Sequence, residues 1–273
     1  MSDLYEGRYL CEGYPGLEKL GVKYFTQHQG IDTRVSEIME CINRLINTSN
    51  GLKTVCVIGC GPKPNSVKEL LKNGFDAVGL EPVLGFAEAA SLYLGDRSRI
   101  INSSAEKIPL PDSSQRIIFL ESVLEHVDSP SRTLSETYRV LAPGGVIYIY
   151  TTNKYRIYLT GKNDEFNVKF YNWLPNIIKE SYVFKHLHYD PKLANYSSRP
   201  AVHWFNYSEL CNLGRSVGFS RFYSLIDLLD ANSETIKKSA LRKFFLNKVR
   251  YNPWLRAISL TQFGSSIFML KRG

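Results

Sequence analysis

The residues able to do chemistry in company fall into a few short stretches. The first, Val55-Cys56-Val57-Ile58-Gly59-Cys60-Gly61-Pro62-Lys63-Pro64, runs an apolar segment into a glycine-rich turn and then a helix. Glycines let a backbone approach a ligand closely, and the helix start offers N–H donors. Dinucleotide sites want G-x-G-x-x-G, and here Pro64 occupies the third glycine position, which speaks against a pyrophosphate. The second is Glu81, ending an apolar stretch about 20 residues beyond the glycines, where a carboxylate can accept both hydroxyls of a ribose. Taken alone, the turn is a weak signal that also fits a tight structural bend, and Glu81 also fits a surface acid capping a strand end. Taken together they favour a nucleoside. Three further stretches follow: Asn102-Ser103-Ser104-Ala105-Glu106-Lys107-Ile108-Pro109-Leu110-Pro111-Asp112, Phe119-Leu120-Glu121-Ser122-Val123-Leu124-Glu125-His126-Val127-Asp128, and Arg139-Val140-Leu141-Ala142-Pro143-Gly144-Gly145-Val146.

These stretches must be positioned by the elements around them. Residues 32–47 have helical spacing, with Val35, Ile38, Met39, Ile42, Leu45 and Ile46 on one face. From 53 onward, short apolar runs alternate with helical segments. Strands are expected at 53–59, 75–81, 97–102, 114–122 and 144–152, and helices at 66–74, 84–94 and from Pro130 up to Pro143. That alternation demands a parallel sheet with helices on both faces. A helix at 208–217, a strand at 218–226, a basic amphipathic helix at 233–250 and a strand at 264–272 complete the pattern.

With these stretches in order, the chain resembles the class I S-adenosylmethionine-dependent methyltransferases, of the small-molecule, methyltransferase type 11-like kind. The family pattern is a G-C-G turn, an acid ending strand two, A-E-x-[LI]-P-x-P, L-E-H-V and L-x-P-G-G. The resemblance covers roughly 50–225, and the last strand more loosely. It implies an α/β, Rossmann-like, seven-stranded mostly parallel sheet flanked by helices, the last strand antiparallel. It also implies S-adenosyl-L-methionine as cofactor. Gly59, Cys60 and Gly61 would pass under its methionine part and Glu81 would hold the ribose, with Pro62 and Pro82 also among the cofactor-binding residues. Ser104, Ala105 and Glu106 would border the adenine. Glu121, Ser122 and Val123 would line the floor. The chain departs from the family at Val57, usually an acid, at Lys63, usually glycine, and at Ser104, often Asp.

Methyl transfer to a hydroxyl benefits from a general base with a pKa near 7, which points to histidine. Of the five histidines, 28, 126, 186, 188 and 203, His203 is the first candidate, as base or substrate contact. It sits in Arg199-Pro200-Ala201-Val202-His203-Trp204-Phe205, next to the helix at 208. A packed histidine between Trp204 and Tyr207 is the plainer alternative. His126 recurs in the family pattern and is the second candidate, as base or as a wall of the pocket. The function expected is methyl transfer to a small-molecule acceptor, foremost an O-methylation. The alternatives are N- or C-methylation of a sugar, lipid or quinone metabolite, or a non-catalytic scaffold on the same fold. The Asn/Asp-Pro-Pro-Tyr/Phe clamp of nucleobase-amine methylation is replaced by Leu120-Glu121-Ser122-Val123 after strand four, which argues against that chemistry without excluding other nucleic-acid targets, and no nucleic-acid partner is favoured.

Composition bounds the rest. The chain has 273 residues, 44% hydrophobic and 22% charged, which excludes a disordered chain or a disulfide scaffold. The five cysteines, without CxxC pairs, read as reduced thiols, and no metal site is expected. With no apolar signal or spanning stretch, a cytoplasmic protein is expected. We expect one methyltransferase domain over 1–273: an N-terminal arm and helix (1–50), a cofactor-binding core (51–153), an aromatic lid (154–207) and C-terminal strands with a basic helix (208–273). Residues 150–207 hold 14 of the 34 aromatics, which suits either a lid over a ring-bearing or apolar ligand or a satellite core under long loops.

The net charge is +8, and residues 231–273 carry nine Lys/Arg against Glu234 alone. The preceding 230 residues are balanced, with 25 of each sign. Three readings of 233–258 stay open: attraction of an anionic substrate, peripheral contact with an anionic membrane through Phe244, Phe245, Trp254 and Leu255, or an ordinary amphipathic helix with a solvated basic face.

Overall fold

The structure is a computed structural model, and it describes residues 35–48, 52–151, 153, 170, 174–185, 201, 203–229, 240–263 and 266–273. The arm up to residue 34, most of the aromatic segment, His28, His186 and His188, and residues 230–239 of the basic stretch lie outside the described residues. The elements in chain order are α1 (Val35–Leu45), β1 (Thr54–Ile58), α2 (Asn65–Lys72), β2 (Asp76–Leu80), α3 (Leu84–Leu94), β3 (Ile100–Ile101), β4 (Gln115–Glu121), α4 (Pro130–Val140) and β5 (Leu141–Tyr150). Then come α5 (Asn176–Lys185), α6 (Tyr207–Val217), β6 (Arg221–Ser224), α7 (Leu225–Leu228), α8 (Ala240–Tyr251), α9 (Pro253–Phe263) and β7 (Ser266–Leu270).

Seven strands form one sheet in the order β3-β2-β1-β4-β5-β7-β6. The five from β1 to β5 run parallel, and β7 is antiparallel to both β5 and β6. The expected mostly parallel, seven-stranded, Rossmann-like sheet is therefore present. Its central strands bury both faces. Val55, Val57, Ile117 and Phe119 pack on one side with α1 and α2 residues such as Ile42 and Leu70. Cys56, Ile58, Ile118 and Leu120 pack on the other with Leu134 and Leu210. Strict alternation along buried strands delivers this two-sided core.

The register fixes one edge. Ile58 pairs with Leu80 and Leu120, Leu80 with Ile101, and Leu120 with Ile149. Ile149 and Ser224 both pair with Ile267. The residues that follow this row, Gly59, Glu81, Asn102, Glu121, Tyr150 and Leu225, therefore leave the sheet side by side.

Three expectations needed adjustment. The third strand, expected over 97–102, is a two-residue strand preceded by a 3-10 turn at Arg97–Arg99. Asp96 causes this: its carboxylate accepts the Ser98 N–H at 2.9 Å and hydroxyl at 2.6 Å, bending the chain before it can pair. The strand expected over 218–226 is four residues long, because Asp227 folds back onto the Ser224 N–H at 2.8 Å and starts α7. The basic segment is a helical pair: Asn252 accepts the N–H groups of Trp254 and Leu255 at 3.0 and 3.1 Å, and Pro253 opens α9. The four described cysteines are unbridged, and burial pushes the Cys41 and Cys56 thiols up to about 12.

Candidate active site

The turn after β1 is built by two glycines with left-handed backbone. Gly59 and Gly61 both have φ +67°, a conformation that costs any L side chain. The surroundings differ. A Cβ on Gly59 would stand 2.3 Å from Val123 Cγ2, so this turn rests directly on the loop after β4. A Cβ on Gly61 would meet nothing within 4 Å, so the backbone there borders open space. Leu80 O accepts the N–H groups of Gly59 at 2.7 Å and Cys60 at 3.1 Å, fastening the turn to β2. Pro62 and Pro64 are buried, and Pro64 precedes α2.

Glu81 stands at the tip of β2, only 5% exposed. One carboxylate oxygen accepts the Gly61 N–H at 3.0 Å and the other the Val83 N–H at 3.0 Å. Burial dominates its titration and pushes its pKa up to about 7, while these two amides pull the other way. Asn102, at the tip of β3, holds this corner from below: its amide donates to Glu81 O at 2.9 Å and Pro82 O at 3.1 Å. Asn102 heads the 102–112 stretch in the sequence without an assigned role, although an amide one position beyond a strand tip is the available signal. Burial also raises the Cys60 thiol well above its ordinary value, and the Glu81 charge adds to this.

The stretch 103–112 is shaped by its own bonds. Ala105 is buried in the core, and Ser104 O accepts the Lys107 N–H at 3.2 Å. The Glu106 carboxylate accepts the Asp128 N–H at 2.9 Å and the Ser129 N–H at 3.5 Å. It therefore stands at the start of α4, where a negative charge is favoured. Arg139 pins the prolines: it donates to Ile108 O at 2.7 Å and Leu110 O at 3.0 Å, and pairs with Asp112 at 2.6 Å and Glu136 at 2.8 Å. We expect Glu106→Ala to cost about 1–2 kcal/mol of stability through the lost cap. Urea denaturation would read that loss, and a titration should show cofactor affinity within about twofold of the parent.

The loop after β4 completes the edge. Glu121 is half-buried, and Ser122 takes a left-handed φ of 53° while its N–H reaches Tyr150 O at 2.8 Å. Strain of this kind concentrates where surrounding structure over-determines the backbone. Val123 supports Gly59, and its carbonyl accepts the His126 N–H at 2.9 Å. Glu125, 1% exposed, accepts the Thr151 hydroxyl at 2.6 Å and so ties this loop to the end of β5.

His203 joins the same loop from far along the chain. Its backbone N–H donates to Glu125 O at 3.2 Å, and its Nε2 lies 2.9 Å from Val127 O. A carbonyl only accepts, so this bond places a proton on Nε2, and in the neutral ring the lone pair then sits on Nδ1. Phe205 beside it forms a parallel bridge with Asn153. The structure thus brings Gly59, Cys60, Gly61, Glu81, Ser122, Val123, His126 and His203 to one edge. Among the described residues, no group of three or more His, Cys, Asp or Glu is arranged to hold a metal ion.

The arrangement suits a nucleoside. A glycine turn with open space beside it and a buried carboxylate at the neighbouring strand tip stand where open α/β sheets bind ligands. Residues 56–149 match the model of the family described as "Methyltransferase domain". The fold and this match make residues 56–149 similar to the class I S-adenosylmethionine-dependent methyltransferases. Over 58 residues it is 36% identical to the "Probable S-adenosylmethionine-dependent methyltransferase" of Mycolicibacterium smegmatis, covering 21% of this chain and 23% of that relative. Over 121 residues it is 30% identical to the "Ubiquinone biosynthesis O-methyltransferase" of Aliivibrio fischeri, covering 41% of this chain and 50% of the relative. The chain therefore spans about a quarter and about half of these relatives' lengths. The structure of a SAM-dependent methyltransferase from Archaeoglobus fulgidus shares the fold, with a TM-score of 0.50 and 17% identity over 91% of this chain and 99% of that one.

Proposed function

We propose that this chain binds S-adenosylmethionine and transfers its methyl group to an oxygen of a small-molecule acceptor. The observation that carries the reading is the Glu81 carboxylate, buried at the tip of β2 and bridged to the glycine turn through the Gly61 amide. An ionised carboxylate has about four acceptor positions. Two are used by amides, which leaves capacity for two hydroxyls of a ribose. The open space at Gly61 fits the methionine part of the same ligand. The oxygen acceptor draws support from the Aliivibrio relative's printed name.

When bound, the sulfonium supplies an activated methyl group and its own leaving group. The chain's residues have to orient and shield. Glu81 would fix the sugar, and Gly59 to Gly61 would allow close backbone approach. Ser104 and Ala105 would border the base, and Ser122 with Val123 would form the floor. Glu106 would act on this site only through the start of α4. Val57, buried in β1 where the family usually carries an acid, leaves the amino group of the ligand to other partners.

His203 would take the acceptor's hydroxyl proton on Nδ1, with Nε2–H held by Val127 O. His126 would shape the pocket beside it. His203→Ala is expected to lower kcat by about 10²–10⁴-fold with cofactor affinity unchanged. Steady-state turnover of the identified acceptor checks this, and an unchanged kcat would remove His203 as base. Calorimetric titration with S-adenosylmethionine tests the reading as a whole. Micromolar binding supports it, and silence up to millimolar ligand overturns it in favour of a scaffold.

A further inference from the structure

The pair α8–α9 presents an apolar apex to solvent. Tyr251 ends α8 and is 80% exposed, and Trp254, the second residue of α9, is 81% exposed. Ile258, one turn further along α9, is 60% exposed, and Leu255 and Phe244 continue the patch. Large side chains exposed together mark an interaction surface, whereas scattered ones do not.

The position of this apex is fixed. Arg250 donates to Ile226 O at 2.9 and 3.2 Å, and also bonds Leu229 O. Arg256 meets both oxygens of Asp227 at 2.8 and 2.9 Å. These arginines bracket the apex and fasten it to α7, which starts where β6 leaves the sheet at Ser224, level with Ile149. The apex is therefore tied to the segment that follows the end of β6. The two arginines act as an inward anchor, and the exposed aromatics point elsewhere.

We infer that the α8–α9 apex docks on the surface of an anionic lipid bilayer. Charge selects this occupant. Residues 240–263 contain no acid, and beyond the inward-turned Arg250 and Arg256 they carry Arg242, Lys243 and Lys248. Lys248 is exposed with its ammonium 5.6 Å from the Phe244 ring, and Arg242 and Lys243 lie in the first turn of α8. Two copies of this face would repel each other, while an anionic surface complements it. Tyr and Trp at the apex suit the headgroup level, where an amphipathic ring is half wet. Among the described residues no helix is long and apolar enough to cross a membrane, so this contact is peripheral.

Vesicle sedimentation with the full chain tests this without cofactor, so its outcome is separate from that of the methyltransferase reading. With vesicles of phosphatidylcholine and 30% phosphatidylglycerol at low salt, at least about tenfold more protein should pellet than with phosphatidylcholine alone. The Trp254→Ala/Ile258→Ala variant should lose that binding about tenfold while its thermal melting matches the parent, since both side chains are exposed. Trp254 emission should shift to the blue on vesicle addition in the parent. A parent that stays in the supernatant, or a double variant that pellets equally, would overturn the proposal. So would a dimer in sedimentation equilibrium that the double variant dissolves, because the face would then belong to a second copy.

Discussion

A Glu81→Ala variant is expected to lose S-adenosylmethionine affinity by about two to three orders of magnitude. Each hydrogen bond to a charged group contributes roughly 1.5–3 kcal/mol net, and two hydroxyls would share this carboxylate. Calorimetric titration reads the loss directly, and an affinity equal to the parent's would remove the ribose assignment. The parent's own pH dependence follows from the same group. Burial pushes the Glu81 pKa up to about 7, so below that pH the proton must leave before two hydroxyls can donate to it. Affinity should fall about tenfold per pH unit below 7, and binding near pH 7 should release a proton. Titrations in buffers of different ionisation enthalpy detect that release. For folding the sign is opposite. A carboxyl whose folded pKa is raised favours the folded state fully below its unfolded value of 4.5, and that contribution is lost as pH rises through about 7. The difference amounts to roughly 3 kcal/mol. A ligand-free protein should therefore lose urea resistance between pH 5 and 8, and a Glu81→Gln variant should lose much less.

Gly59→Ala is expected to cost about 2–5 kcal/mol of folding stability, and Gly61→Ala about 1–2. Both residues have φ +67°, so both variants carry the left-handed strain of about 1–2 kcal/mol. Only Gly59 adds a collision, 2.3 Å from Val123 Cγ2 on a stiff β-branched side chain, which adds about 1–3 kcal/mol. Gly61→Ala projects its methyl into open space and should instead weaken the cofactor by at least about tenfold, through intrusion on the ligand's place. Urea midpoints and a titration separate the two. Equal destabilisation by both variants would show that Val123 yields, and an undiminished affinity in Gly61→Ala would show that the turn does not approach the ligand.

Much of this architecture was legible because buried parallel strands are short apolar runs separated by helical spacing. β1, β2, β4 and β5 fall where the runs at 53–59, 75–81, 114–122 and 144–152 put them, and Ser129 with Pro130 marks the start of α4. The misses have local causes. Asp96 and Asp227 carry side chains that capture nearby amides and end strand pairing early, a competition that apolar patterning does not register. Asn252-Pro253 was a readable helix start between two segments that share one basic character. The site was legible in its motif residues and opaque in its long-range ties. Nothing in the sequence joins His203 to Val127, 76 positions apart, or Thr151 to Glu125. Glu106 belongs to the family motif, yet its carboxylate stands at the start of a helix 22 positions away. A motif fixes which residues recur, and packing decides what each one touches.

The insertion of β7 between β5 and β6 shapes how such a protein can diversify. The chain leaves the sheet at Ser224 and re-enters it at Ser266, which pairs with Tyr150 on the same rim. Everything between those points is a closed excursion whose ends are fixed by neighbouring ladders. Lengthening it adds only a slowly growing closure entropy, about 0.6 kcal/mol per doubling. Evolution can therefore exchange that excursion wholesale, while the half of the scaffold built on β1 to β4 stays untouched.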